Sequence, residues 1–414
     1  MFITLIIPIS VSAAEWSAEP SISLRTGYND NIRLTAVPHD SVWETDLSPA
    51  VKFGVAKENQ GLTGDAGFAI RRFTGGSGAD SGSVLNREDY HLLSNAFHKT
   101  LRGSIKVNLD YIQDSTQDSE LDETGNSVKD LATRDKLTLG PSWSRLLTEL
   151  TRLDLTYQYS NVEYSDDPGA NLVDYKYNVT SASLLHQFTP RIQGTLAAGY
   201  SNYKPDTDFD SSTVTLQVGL TTNISETLLA SVLAGQRQTT SDSSIGTGFC
   251  IGAIPGATFP SCTGGTPVST GTAKTQVDTS SPVYSAKITR TLETGSLSAA
   301  LSRSSSPGAN GELLDATRLV LSGDYRFTET LSSSLRIEYV ENETIVNRVG
   351  FMPDQSKETF FRVTPRAAWR WRREWELAGE YQYVENDDPV AGKAIRNALY
   401  VNLTYRPARM AISR

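Results

Sequence analysis

The residues able to act on a solute sit at alternate positions of short segments. In SLRIEYV (334–340), Arg336 and Glu338 take turns with Leu335, Ile337 and Tyr339. The same parity collects Lys52, Asp65, Arg71, Lys106, Asp110, Arg152 and Asp154 in the first half of the chain. In the second half it collects Arg318, Asp324, Arg326, Arg362, Arg366, Arg370, Glu376 and Glu380. A wall of such groups would hold a hydrated or anionic solute through replaceable charge-assisted hydrogen bonds. It would equally serve as a ladder of ion pairs between neighbouring strands. The two roles are compatible.

Bond-making chemistry finds few players. No G-x-S-x-G, HExxH, Walker A or dinucleotide fingerprint occurs. His39, His91, His98 and His186 are scattered, and His91 and His98, seven residues apart, fall on opposite faces of one strand. An enzyme is not expected, and no cofactor or metal is called for. Residues 113–133, QDSTQDSELDETGNSVKDLAT, carry six carboxylates and one Lys. Carboxylates could ligate Ca²⁺, but the spacing matches no EF-hand, and the composition is that of a solvated loop.

The elements that would carry these residues are strands. Only 38% of the 414 residues are hydrophobic, and no 18-residue apolar run follows the N-terminus, so a transmembrane helix is excluded. The net charge of −9 repels phosphates and gives no support to nucleic-acid binding. The opening stretch, MFITLIIPISVSAAEW, reads as a signal peptide over 1–14, cut before Glu15. No Lys or Arg precedes its apolar part, which points to a true start upstream; a first buried strand is the other reading. Residues 15–414 then form one barrel domain.

Alternating segments recur near 20–29, 43–56, 61–73, 87–99, 101–112, 134–144, 151–164, 174–188, 191–203, 210–222, 227–240, 281–291, 294–304, 316–327, 331–342, 357–371, 374–386 and 395–406. The connections between them run short, long, short, long. That asymmetry predicts an all-β, up-and-down antiparallel transmembrane barrel of about 18 strands, with short periplasmic turns and long extracellular loops, in the bacterial outer membrane. A soluble sandwich has no reason to sort its loops by parity. Aromatic residues at strand ends, such as Tyr157, Tyr159, Trp369 and Trp371, suit the girdles at the lipid–water boundaries. Lipid and lipopolysaccharide are the expected surroundings. Pro49 and Pro365 lie inside strands, where each removes a ladder donor, and predict bulges or register breaks. Cys250 and Cys262, in the exported Gly/Thr/Pro-rich stretch FCIGAIPGATFPSC, are expected to form a disulfide.

Residues 20–34, PSISLRTGYNDNIRL, and 47–55, LSPAVKFGV, carry a further signal. Through Tyr28, Asn29, Asp30, Asn31, Ile32, Ser48 and Pro49 the N-terminus resembles a family of bacterial outer-membrane barrel porins encoded with exopolysaccharide and exosortase (PEP-CTERM) loci. The match covers the first hairpin. It implies a passive conduit for export of an exopolysaccharide, with any periplasmic export partner a separate protein. The Tyr-Asn-Asp-Asn segment also reads as an Asx-type turn closing the first strand. Two other functions fit the residues: a general or substrate-selective diffusion porin, and a plugged surface barrel whose long loop 241–280 binds a ligand or folds into the pore.

Overall fold

The computed structural model describes residues 15–413, apart from 38, 79–80, 126–130, 166–171, 208, 252–265, 347–356 and 390. The proposed signal peptide and Cys262 therefore lie outside the described residues. Alternation has the expected consequence. The first nine strands are β1 (Glu15–Asn29), β2 (Val42–Ala56), β3 (Gln60–Gly75), β4 (Arg87–Thr100), β5 (Gly103–Ser115), β6 (Thr133–Leu146), β7 (Thr151–Tyr164), β8 (Tyr175–Thr189) and β9 (Ile192–Pro205). They are followed by β10 (Phe209–Asn223), β11 (Leu228–Ile251), β12 (Thr266–Leu292), β13 (Gly295–Pro307) and β14 (Leu313–Arg326). The last are β15 (Leu331–Val346), β16 (Lys357–Trp369), β17 (Trp375–Asp388), β18 (Gly392–Tyr405) and the short β19 (Met410–Ser413). Two helices interrupt the long loops: α1 (Gly82–Leu85) and α2 (Thr116–Glu123).

From β1 to β18 each strand pairs antiparallel with its sequence neighbours, and β1 closes the ring. Its residues Ile22–Asn29 pair with β18, and Glu15–Ala18 pair with β19. β19 thus continues the line of β18 after a break, and the closed barrel has eighteen strands. Closure leaves no open edge, which hydrocarbon could not satisfy.

Several short turns share one local device. Thr189 Oγ1 accepts from the N–H groups of Arg191 and Ile192, and Thr328 Oγ1 from those of Thr330 and Leu331. A hydroxyl bonded to the backbone two or three residues on replaces the ladder where the chain reverses. All such turns lie on one rim, and the long loops lie on the other.

Parity sorts the two faces. Leu335, Tyr339, Leu321, Leu399, Val401, Leu216 and Val218 are exposed outward, while Glu338, from the same strand as Leu335, is fully buried inside. Water would not leave so many large apolar side chains uncovered; a lipid belt accounts for them. Aromatic rings cluster outside at both rims. Trp369, Trp371, Trp375 and Tyr405 form a chain at the short-turn rim. Tyr28–Trp43, Phe68–Tyr90 and Phe361–Tyr383 mark the other. The protein is an outer-membrane barrel.

Three expectations need correction. Pro49 and Pro365 cause no bulge: register is the same on both sides of each. Pairing simply lapses on one flank, between Leu47 and Ala50 towards β3 and between Val363 and Arg366 towards β17, because the missing donor weakens that rung alone. Residues 241–251 and 266–280 are paired strand where a loop was expected, and 252–265 lie outside the described residues. β11 and β12 continue their pairing past the rest of the barrel, from Ser241↔Val277 to Ile251↔Thr266, with one bulge at Thr247/Gly248. The Cys pair stays untested there. Lastly, 113–133 is not merely solvated: it contains α2, which lies inside the lumen.

Candidate functional site

Cross-strand register puts every charged residue named above on the lumen side. Lys52 meets Asp65 at 4.0 Å, and Asp65 also bonds His91 Nε2 at 2.9 Å. Arg71 lies between Asp46 and Asp89, at 3.4 and 2.9 Å. Arg152 and Ser144 both hold Asp154, at 3.0 and 2.6 Å. Asp110 lies opposite Thr138. Asp324 accepts from Ser296 at 3.3 Å, and Glu380 faces Arg25 at 3.8 Å. Lys106 and Arg326 make no ion pair among the described residues.

The β14–β18 wall is different from the rest. Adjacent strands bring Arg318, Arg336 and Arg362 onto one carboxylate, Glu338, at 2.6, 3.4 and 2.8 Å. Nearer the short turns, Arg366, Arg370 and Arg406 surround Glu376 at 3.2, 3.6 and 3.0 Å. Each carboxylate is outnumbered three to one, so both clusters carry surplus positive charge. Between and below them lie two hollows in the wall. One, of about 280 Å³, is lined by Asp324, Arg326, Ser332, Ser334 and Arg366. The other, of about 260 Å³, is lined by Arg326, Thr328, Thr330, Arg370 and Glu376. Arg406, not among the charged residues named from the sequence, ends the 395–406 segment on the same parity as Asn402 and Thr404, and that parity is the signal that could have found it.

α2 crosses this space. It leaves β5 and reaches β14–β16, ten strands round an eighteen-strand ring and so almost opposite. At its root, Arg134 (1% exposed) holds Asp114 at 3.0 Å, Glu120 at 3.5 Å and Glu123 at 3.0 Å. Lys136 adds a 2.6 Å contact to Glu123. Tyr164 donates to Glu120 Oε1 at 2.9 Å. Gln117 Nε2 donates to the Ile32 carbonyl at 2.5 Å. At the far wall, Leu121 packs with Leu34, Ala316, Val340, Phe360, Val384 and Ala394. Asn342 Nδ2 donates to the Thr124 carbonyl at 3.0 Å. Asp114, Glu120, Asp122 and Glu123 thus go to guanidinium and ammonium partners of the barrel wall.

A second intrusion lies beside it. β12–β13 pairing stops at Tyr284↔Arg303, and the β13–β14 tip bends into the lumen. Ala309 and Leu313 then pack on Val162, Tyr164, Tyr175, Tyr203 and Phe209. The bend turns Asp315 towards the inner face of β11, where it meets Arg237 at 2.7 Å as well as Arg303 at 3.0 Å. The apolar tip, Leu313-Leu314, could have signalled a buried hairpin end in the sequence.

The Tyr-Asn-Asp-Asn segment forms a clasp over the closing seam. Asn31 N–H donates to Asn29 Oδ1 at 3.0 Å, an Asx turn. Asn31 Nδ2 donates to the carbonyls of Thr35 and Ile395, both at 2.9 Å. Asp30 accepts from the backbone and side-chain amides of Asn397, at 2.6 and 2.8 Å.

The sequence matches no family model and no curated protein. Solved structures do resemble the fold. A copper transporter, OprC, superposes with a TM-score of 0.50 at 9% identity, over 95% of this chain and 67% of that one. The chain has the outer-membrane barrel fold. OccAB4 of Acinetobacter baumannii superposes at 0.45 with 13% identity, over 97% of this chain and 100% of that one. OccK3 of Pseudomonas aeruginosa gives 0.41 and 12%, over 95% and 96%. At these identities the likeness is one of fold alone.

Proposed function

We propose that the barrel is a substrate-selective diffusion channel whose lumen favours anionic solutes. One observation carries this reading: six guanidinium groups surround two carboxylates, Glu338 and Glu376, on a single lumen wall. Fixed surplus charge in a narrow aqueous path raises the local concentration of the opposite ion. The wall does no chemistry; it offers planar forks that bind and release an anion in steps along the barrel axis.

Export of an exopolysaccharide, implied by the N-terminal resemblance, fits this lumen less well. A polymer needs a continuous bore, and both α2 and the β13–β14 tip cross it. The plugged, non-transporting reading gains from α2, and conductance separates it from a channel.

Liposome swelling tests the proposal. Reconstituted protein should admit a small carboxylate such as succinate faster than a neutral sugar of similar size. Arg366→Gln combined with Arg370→Gln should narrow that difference. Equal entry of both solutes into wild-type liposomes would remove the reading.

A further inference from the structure

The Glu338 cluster already holds a ligand, and that ligand is part of the chain. Glu338 is fully buried beneath Arg318, Arg336 and Arg362, so three positive charges meet one negative charge. α2 answers the surplus. Arg362 Nη1 donates to the Asp122 carboxylate. Arg318 donates to the backbone carbonyls of Asp122 at 3.3 Å and Glu123 at 2.7 Å. These are the last carbonyls of the helix, where its dipole is negative. One carboxylate and two carbonyl oxygens therefore fill the guanidinium forks that a solute carboxylate would use.

The two sides of this contact are not equally fixed. Arg362 is held in the wall by Glu338, and its side chain is 14% exposed; that of Asp122 is 61% exposed. Asp122 has no other side-chain partner among the described residues. A guanidinium fixed in the wall faces a carboxylate at the water's edge, so exchange with a dissolved anion needs no opening of the barrel. Glu120, one turn earlier in α2, is held by Arg134 and Tyr164, and those contacts do not depend on Arg318 or Arg362. A displaced helix end would stay tethered.

We infer that α2 is a tethered occupant of a carboxylate-binding station, and that a free carboxylate solute competes with Asp122 for Arg362 and Arg318. This rests on the lumen being an anion path. The full-length protein in planar bilayers tests it, with succinate as the probe and glucose as the neutral control. The reversal potential under a KCl gradient is read first. The succinate concentration giving half of its effect on the current is read second. Asp122→Asn keeps the shape of the occupant and removes its charge, so that concentration should fall about tenfold, equivalent to about 1.4 kcal/mol. Arg318→Gln with Arg362→Gln should abolish the response, and glucose should have no effect on any variant. An unchanged half-effect concentration in Asp122→Asn, with anion selectivity intact, overturns the tethered occupant. Loss of anion selectivity in the wild type overturns the channel reading beneath it instead.

Discussion

Tyr164 donates its hydroxyl hydrogen to Glu120 Oε1 at 2.9 Å, joining the inner face of β7 to the helix that crosses the lumen. Around the same carboxylate stand Arg134, Glu123, Lys136 and Tyr175. Burial pushes the Glu120 carboxyl up to about 7, and the nearby Arg134 charge only partly offsets it. Glu123 is held below the usual carboxylate range, since Lys136 and Arg134 outweigh its burial.

Docking of α2 should therefore depend on pH from both sides. A raised Glu120 contributes docking strength that is complete below its ordinary value of 4.5 and is lost as pH climbs to about 7. Glu123 works in the opposite sense, and its contribution fades as pH falls through its lowered value. Conductance of single channels should rise between pH 5 and 7.5 as the helix loosens. Glu120→Gln, which still accepts the Tyr164 hydrogen bond, should flatten that rise. A Glu120→Gln profile identical to wild type would show that this carboxyl does not set the docking.

Leu121 is the apolar anchor of α2 on the far wall. Leu121→Ala should weaken docking by about 2–5 kcal/mol, the range for a buried leucine cut to alanine. Open-channel conductance should increase, while the barrel itself, read by its heat-dependent migration in detergent gels, stays as stable as wild type. A loss of barrel stability would place Leu121 in the structural core instead.

The seam offers a separate test. Asn31 is fully buried and ties two loop and strand carbonyls together across β1 and β18. Asn31→Ala should lower stability by about 1–3 kcal/mol, because both carbonyls lose a buried donor. Thermal unfolding in detergent would read this as a lower midpoint. An unchanged midpoint would mean that the clasp holds nothing.

Facing can be checked within a single strand. Ile337 pairs with Leu321 and Val363 on the outward side, and Ser334 with Asp324 and Arg366 on the lumen side. Ile337→Arg should cost about 2–4 kcal/mol near the bilayer midplane and impair assembly. Ser334→Arg should assemble normally. Equal yields of folded protein would contradict the assigned faces.

What the sequence made legible follows from where period-two alternation is enforced. Lipid on one side and water on the other force Leu335, Ile337 and Tyr339 out and Glu338 in, so the strand, its face and the barrel could all be read from SLRIEYV. Beyond the lipid belt that constraint ends. Ser241–Ile251 and Thr266–Ser280 pair as strands, but their sequence is rich in Gly, Ser and Thr with little apolar alternation, so it looks like loop. α2 was hidden for a related reason. It packs in a polar lumen, has one apolar anchor, Leu121, and places Glu120, Asp122 and Glu123 on Arg134 and Lys136 of the following strand and Arg362 of a distant one. Parity showed that Arg318, Arg336 and Arg362 share a wall. Only the register of β14, β15 and β16 shows that they share one carboxylate.

The most direct measurement is the reversal potential of the wild-type protein in a planar bilayer under a tenfold KCl gradient. An excess of wall guanidinium should set that potential towards the chloride equilibrium value. A potential on the potassium side, or a folded protein that passes no ion, would contradict an anion-conducting lumen.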